Sequence, residues 1–179
     1  MKILITEDER DIALQYKKML EKRHHDVIIT KDGESCLKIY HEALKQTASE
    51  TNNKPPFDVV IIDIRMPKKN GGEVAREILK VRPTQRIIFA SAYVKENLAN
   101  SLKELNQIIA VLQKPFRLSV LVDTIEDEES YAQLEKFNIK VREIKNFDPA
   151  NRTVQCLLED LSKIQKPTVW YAVGDIILG

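Results

Sequence analysis

The sequence has few cysteines and no long hydrophobic run. Its two cysteines, Cys36 and Cys156, stand far apart without the spacing of metal ligands, which favours two buried thiols in a reducing compartment. The first apolar run, residues 3–5, is followed at once by acidic residues and is too short for a signal peptide. No apolar stretch of membrane-spanning length follows it. We therefore expect a cytoplasmic protein.

Neither sign of charge dominates the chain as a whole. Hydrophobic residues make up 43% and charged residues 31%, as in a globular protein, and the net charge at pH 7 is +1. Basic residues are in excess up to residue 122, and acidic residues are in excess from 123 to 179. An acidic C-terminal segment is a poor electrostatic match to a nucleic-acid backbone. The length of 179 residues suits one ordinary domain with an appendage, or two small domains.

Alternating apolar runs and helical patterns predict an α/β fold. The clearest strand is Val59-Val60-Ile61-Ile62, four β-branched residues typical of a strand that is buried on both faces. Similar runs lie at residues 2–6, 27–29, 87–90 and 108–112, and each is followed by residues with the apolar spacing of a helix. Repeated strand–helix units predict a doubly wound, five-stranded parallel sheet with helices on both faces.

Polar residues follow four of the predicted strands: Glu7 and Asp8 the first, Asp63 the third, Ser91 the fourth and Lys114 the fifth. Because the carboxyl ends of parallel strands share one edge of the sheet, these side chains can converge. Three neighbouring carboxylates repel one another unless a cation lies among them, and Mg²⁺ prefers such oxygen ligands. A carboxylate beside this metal can attack phosphorus and form an aspartyl phosphate, with Lys114 and Ser91 stabilising the transferred group.

These residues resemble the receiver domain of two-component response regulators, a family with a flavodoxin-like fold. The resemblance spans roughly residues 1–128 and rests on four short motifs in order: Glu7-Asp8-Glu9, Asp63 with Met66-Pro67 and Gly71, Ser91-Ala92, and Lys114-Pro115-Phe116. It implies a domain over 1–128 that receives a phosphoryl group from a histidine kinase or a phosphotransfer protein in a phosphorelay. It also implies that the protein is not otherwise an enzyme and catalyses only its own phosphotransfer and dephosphorylation.

The resemblance also implies a role for the acidic residues. Asp63 would be the phosphoacceptor, and Asp8 would bind Mg²⁺ together with Glu7, which would act partly through water. Asp63 itself and the backbone carbonyl of Arg65 would complete the metal ligands.

The remaining motif residues take their roles from the same resemblance. Ser91 would be the switch hydroxyl, and Lys114 would contact the phosphoryl group, followed by a cis peptide before Pro115. The family often carries Tyr or Phe three residues before this lysine, and here that position is Val111. A small aliphatic side chain cannot report the switch by the rotation of a ring, although the phosphorylation chemistry does not depend on it.

We recognise no output module of the family in residues 129–179. Their spacing predicts a small α/β extension, with a helix, a strand, a second helix over residues 154–164 and an apolar strand at 169–173. A DNA-binding module would need a basic recognition helix, and this segment is acidic. We expect a protein-interaction or oligomerisation segment, with a homo-oligomer as the preferred outcome.

Two alternative functions were weighed against a receiver that signals through protein contacts. A transcription regulator with a divergent DNA-binding module is disfavoured by the acidic extension. An enzyme of the haloacid dehalogenase type also forms an aspartyl phosphate, but it needs a second Asp two residues after the nucleophile. Arg65 occupies that position, so this alternative is set aside.

Overall fold

Strands and helices alternate along the computed structural model, which describes residues 1–47, 54–92, 109–127 and 169–171. In chain order the elements are β1 (Lys2–Thr6), α1 (Arg10–Glu21), β2 (Asp26–Thr30), α2 (Gly33–Thr47), β3 (Val59–Ile62), α3 (Gly71–Val81), β4 (Ile87–Ser91), β5 (Ile109–Gln113), α4 (Leu118–Glu126) and β6 (Val169–Tyr171). The helix predicted after the fourth strand lies outside the described residues, as do both helices and the first strand predicted for the extension. No helix in the described ranges combines the length and the apolar character needed to cross a membrane.

The strands form one sheet in the order β2-β1-β3-β4-β5-β6. The first five are parallel, which confirms the predicted flavodoxin-like sheet. The sixth pairs with β5 in the antiparallel direction, with Val169 opposite Val111. The sequence predicts residues 169–173 as a strand of the C-terminal extension and does not indicate its partner. The structure pairs residues 169–171 with the edge of the main sheet.

The continuous apolar run of β3 serves two separate cores. Val60 and Ile62 belong to the core beneath α2 and α3, whereas Val59 and Ile61 belong to the core beneath α1 and α4. All four side chains are almost fully buried. Burial of each such side chain contributes about 1.5–3 kcal/mol, so neither face of β3 tolerates a polar residue. Cys36 is buried in the first of these cores, as expected, and Cys156 lies outside the described residues.

The start of α3 is fixed against the end of β3. The side-chain oxygen of Asn70 accepts a hydrogen bond from the Glu73 amide at 3.0 Å, and the Glu73 carboxylate accepts one from the Asn70 amide at 3.0 Å. Gly71 follows, and a Cβ atom there would lie 2.2 Å from the carbonyl oxygen of Asp63. Only glycine therefore allows the helix to begin this close to the strand end that carries Asp63.

Candidate functional site

Main-chain hydrogen bonds hold the strand ends together at the carboxyl edge of the sheet. The Asp63 amide donates to the Thr6 carbonyl at 2.9 Å, and the Lys114 amide donates to the Ser91 carbonyl at 2.8 Å. The first bond joins the ends of β1 and β3, and the second joins those of β4 and β5. The positions of the side chains that follow these strands are therefore set by main-chain hydrogen bonds and do not depend only on contacts between the side chains.

Lys114 lies between two of the predicted acidic residues. Its Nζ donates to Asp63 Oδ2 at 2.6 Å and to Glu7 Oε2 at 2.7 Å. The three side chains are 14%, 11% and 1% exposed, respectively, so water screens these contacts only weakly. Burial disfavours the ammonium form, but the hydrogen bonds that Lys114 donates to Asp63 and Glu7, together with the negative charges of these carboxylates, outweigh burial and raise the pKa of Lys114. Lys114 thus stays charged and balances part of the negative charge of the cluster.

Glu7 carries an unsatisfied buried oxygen. Burial raises the pKa of Glu7 to about 7, although the hydrogen bond from Lys114 acts in the opposite direction. Oε1 of this carboxyl has no hydrogen-bond partner among the described residues. A buried polar atom without a partner costs about 1–3 kcal/mol, and more when the group is charged. A cation beside Oε1 would remove this cost.

The site has the ligands that a divalent cation needs. Carboxylate oxygens of Glu7, Asp8 and Asp63 all lie within 4.8 Å of one another, and Asp8 is exposed. Hard oxygen donors with access to water suit Mg²⁺, which keeps several of its waters when protein carboxylates bind it. The donor set and the unsatisfied Glu7 oxygen therefore fit this metal.

The orientation of Asp63 is fixed through both of its oxygens. Oδ1 accepts a hydrogen bond from the Arg65 amide at 3.1 Å, and Oδ2 accepts the one from Lys114. The side chain remains largely buried, with the residue 8% exposed. The backbone of Arg65 therefore lies next to the Asp63 carboxylate. The family resemblance implies that this carboxylate and the Arg65 carbonyl bind the same metal ion.

The other predicted residues lie along the same edge of the sheet. Ser91 is the last residue of β4 and is 1% exposed. The peptide between Lys114 and Pro115 is cis. Val111 is fully buried in β5, three residues before Lys114, within the core beneath α2 and α3.

Tyr16 lies beside the site, although none of the four sequence motifs includes it. Its ring stacks on Phe116, with centroids 5.7 Å apart. Burial raises the pKa of Tyr16 to about 12, and its hydroxyl also senses the charges of Lys114 and Glu7. Phe116 stands two residues after Lys114, and Tyr16 is the seventh residue of α1, about two turns from the start of that helix. The positions of Tyr16 in α1 and of Phe116 after Lys114 are the sequence signal that could have indicated an aromatic pair beside the site.

A doubly wound sheet with an acidic cluster and a lysine at its carboxyl edge defines the class of this protein as a flavodoxin-like signalling receiver. The chain belongs to the response regulator receiver domain family, whose sequence profile matches residues 3–126. The resemblance read from the four motifs is thereby confirmed.

The chain is similar to several known proteins. Response regulator receiver protein CpdR of Brucella abortus (strain 2308) is 31% identical over 125 residues, which cover 70% of this chain and 93% of that protein. Sensor kinase CckA of the same organism is 27% identical over 125 residues, which cover 70% of this chain and 12% of that protein. A crystal structure of a response regulator receiver domain protein from Clostridium thermocellum has a TM-score of 0.59 and 28% identity, covering 75% of this chain and 98% of that one.

Proposed function

We propose that this protein is a response regulator of a two-component phosphorelay that accepts a phosphoryl group on Asp63 and signals through protein–protein contacts. The observation that carries the proposal is Lys114 bridging Asp63 and Glu7 while one Glu7 oxygen has no hydrogen-bond partner in the part of the chain that the structure describes. Such a cluster supplies an oriented nucleophile, a cation for the transferred group and free ligand capacity for a metal. The protein would catalyse only its own phosphorylation and dephosphorylation.

The phosphoryl donor would be a sensor histidine kinase or a phosphotransfer protein. An Asp63 oxygen would attack phosphorus as the bond from phosphorus to the donor's histidine nitrogen breaks. The electron pair of that bond would return to the imidazole, and the product would be an acyl phosphate on Asp63. The similarity to a segment of a protein named as a sensor kinase supports a donor of this class.

The residues around Asp63 would each assist this transfer. Glu7, Asp8, Asp63 and the carbonyl of Arg65 would hold Mg²⁺, which supplies positive charge beside the phosphoryl oxygens. Lys114 would exchange its contact with Asp63 Oδ2 for one with a phosphoryl oxygen. The Ser91 hydroxyl at the end of β4 would donate to another, as the sequence motif predicts.

The proposal is tested by weighing the intact protein after incubation with acetyl phosphate. With Mg²⁺ we expect a mass gain of one phosphoryl group, and with EDTA we expect none. Without the positive charge of Mg²⁺, the negative carboxylate cluster would repel the phosphoryl donor. A panel of phosphorylated histidine kinases then tests transfer from protein donors. A folded protein that gains no phosphoryl group from acetyl phosphate or from any kinase in the presence of Mg²⁺ would refute the proposal.

We further propose that residues 129–179 form a protein-interaction segment, distinct from the receiver over 1–128. Within the chain, β6 of this segment pairs with β5, and the acidic charge of the segment disfavours a nucleic-acid partner. The segment is too short to form a large hydrophobic core by itself, so the apolar face of its predicted helix must pack against another surface. A second copy of the chain is the partner that we prefer.

Light scattering of the full chain beside a chain ending at Asp127 tests this second proposal. We expect the full chain to form a dimer or a larger assembly and the shortened chain to be monomeric. Equal oligomeric states would remove the self-association claim. A DNA shift assay at low salt runs in parallel, and sequence-selective binding by the full chain would favour a transcription regulator instead.

A further inference from the structure

The loop between β3 and α3 is closed at its base and carries the proposed metal ligand Arg65. The Gly71 amide donates to the Ile64 carbonyl at 2.9 Å, which joins the two ends of the loop. Within it, the Arg65 amide donates to Asp63 Oδ1. These bonds fix the base of the loop, and in its outer part the Lys69 amide donates to the Pro67 carbonyl at 2.8 Å.

Lys68 supplies a contact from the outer part of the loop to a different loop. Its φ of 68° lies in the left-handed region, which non-glycine residues adopt uncommonly. Lys68 Nζ lies 2.8 Å from Asp32 Oδ2 and 3.4 Å from Glu34 Oε2. Asp32 follows β2 and lies outside the carboxylate cluster of the site. The hydrogen bond from Lys68 contributes most to holding the pKa of Asp32 well below its usual range.

Asp32 is itself held rigidly at the start of α2. Its Oδ1 accepts a hydrogen bond from the Ser35 amide at 2.8 Å, and its side chain is only 5% exposed. The next residue, Gly33, also abuts the loop, because a Cβ atom there would lie 2.6 Å from the carbonyl oxygen of Lys69. The start of α2 is therefore a fixed support against which the outer part of the loop rests.

We infer that the Lys68–Asp32 ion pair is a positioning element that holds the β3–α3 loop in the conformation in which the Arg65 carbonyl can bind Mg²⁺. This inference rests on the proposed function. Lys68 and Asp32 lie outside the carboxylate cluster of Glu7, Asp8 and Asp63, and they would act on it through the backbone between Asp63 and Gly71. Outer residues that orient metal ligands typically change affinity by 10–100-fold when they are replaced.

The test compares Mg²⁺ binding to full-length, unphosphorylated variants by calorimetry. Lys68→Asn keeps a residue type that tolerates the left-handed region but is too short to reach Asp32. We expect it to raise the Mg²⁺ dissociation constant by about tenfold, and Lys68→Arg to stay within about twofold of the wild type. The phosphorylation rate with acetyl phosphate should recover at saturating Mg²⁺, because the nucleophile and Lys114 are unchanged.

Two further variants make the outcome decisive. Lys69, the next residue of this loop, forms an ion pair with Glu77 of α3. Lys69→Met breaks that ion pair and should bind Mg²⁺ like the wild type. Asp32→Asn keeps an oxygen for the Ser35 amide, loses the charge that Lys68 meets, and should weaken binding as Lys68→Asn does. Unchanged affinity in both Lys68→Asn and Asp32→Asn, or equal weakening in Lys69→Met, would overturn the inference. A wild type that binds no Mg²⁺ would instead refute the proposed function.

Discussion

Asp63→Asn is expected to abolish the gain of a phosphoryl group from acetyl phosphate in the presence of Mg²⁺. The amide has the same shape as the carboxylate and its oxygen can still accept the hydrogen bond from the Arg65 amide, so the fold should persist. It lacks the anionic oxygen that attacks phosphorus. Intact-mass spectrometry reads the result directly, and circular dichroism verifies that the variant is folded.

Asp58→Asn is the matched control, because Asp58 and Asp63 flank the two ends of the same strand. Asp58 Oδ2 accepts a hydrogen bond from the Lys2 amide at 2.7 Å, at the edge of the sheet opposite the carboxylate cluster. This variant should gain one phosphoryl group like the wild type. A mass gain in Asp63→Asn would assign the acceptor to another residue, and loss of the gain in Asp58→Asn would show that the assay reports stability and not chemistry.

The sequence was sufficient to predict the sheet and the edge where the site lies. Val59 to Ile62 form an unbroken apolar run because each core takes alternate residues of β3, and this signal is local. Asp63 and Lys114 follow directly after strands, so a parallel sheet brings them to one edge whatever the loops do. Both inferences need only the apolar spacing that distinguishes strands from helices and the rule that the carboxyl ends of parallel strands lie at one edge of the sheet.

Contacts within the site could not be predicted, because they depend on distances between residues far apart in the chain. Lys114 is 107 residues from Glu7 and 51 from Asp63, and nothing local indicates that one ammonium serves both carboxylates. The raised pKa of Glu7 follows from burial, which an acidic run at the end of β1 does not reveal. The contact between Lys68 and Asp32 joins two loops that are 36 residues apart in the chain, so no local pattern indicates it.

The place of β6 was unpredictable for a related reason. Apolar residues at 169–171 indicate a strand, but a strand pattern does not name its partner. The edge of β5 offered unpaired main-chain groups, and an antiparallel strand from the extension pairs there with Val111 opposite Val169. Long-range pairing of this kind is decided by the whole fold and not by local sequence.

Gly71→Ala is expected to lower the free energy of unfolding by about 3 kcal/mol, because the added Cβ would overlap its surroundings. It would lie 2.2 Å from the Asp63 carbonyl oxygen, 2.9 Å from Ile62 Cγ2 and 2.9 Å from Ile64 Cα. Two of these atoms are backbone and cannot move without displacing the strand end. Helix propensity alone predicts the opposite sign, since alanine is favoured over glycine within a helix by roughly 0.5–1 kcal/mol.

Urea unfolding of the wild type, Gly71→Ala and Lys80→Ala separates these effects. Lys80 is exposed on the same helix, so its replacement should change the free energy of unfolding by less than about 0.5 kcal/mol. Relief of the overlap in Gly71→Ala requires α3 or the Asp63 carbonyl to shift, so phosphorylation by acetyl phosphate should also slow. If Gly71→Ala is as stable as the wild type, the start of α3 is not fixed against β3, and the glycine is then not what sets the position of Asp63.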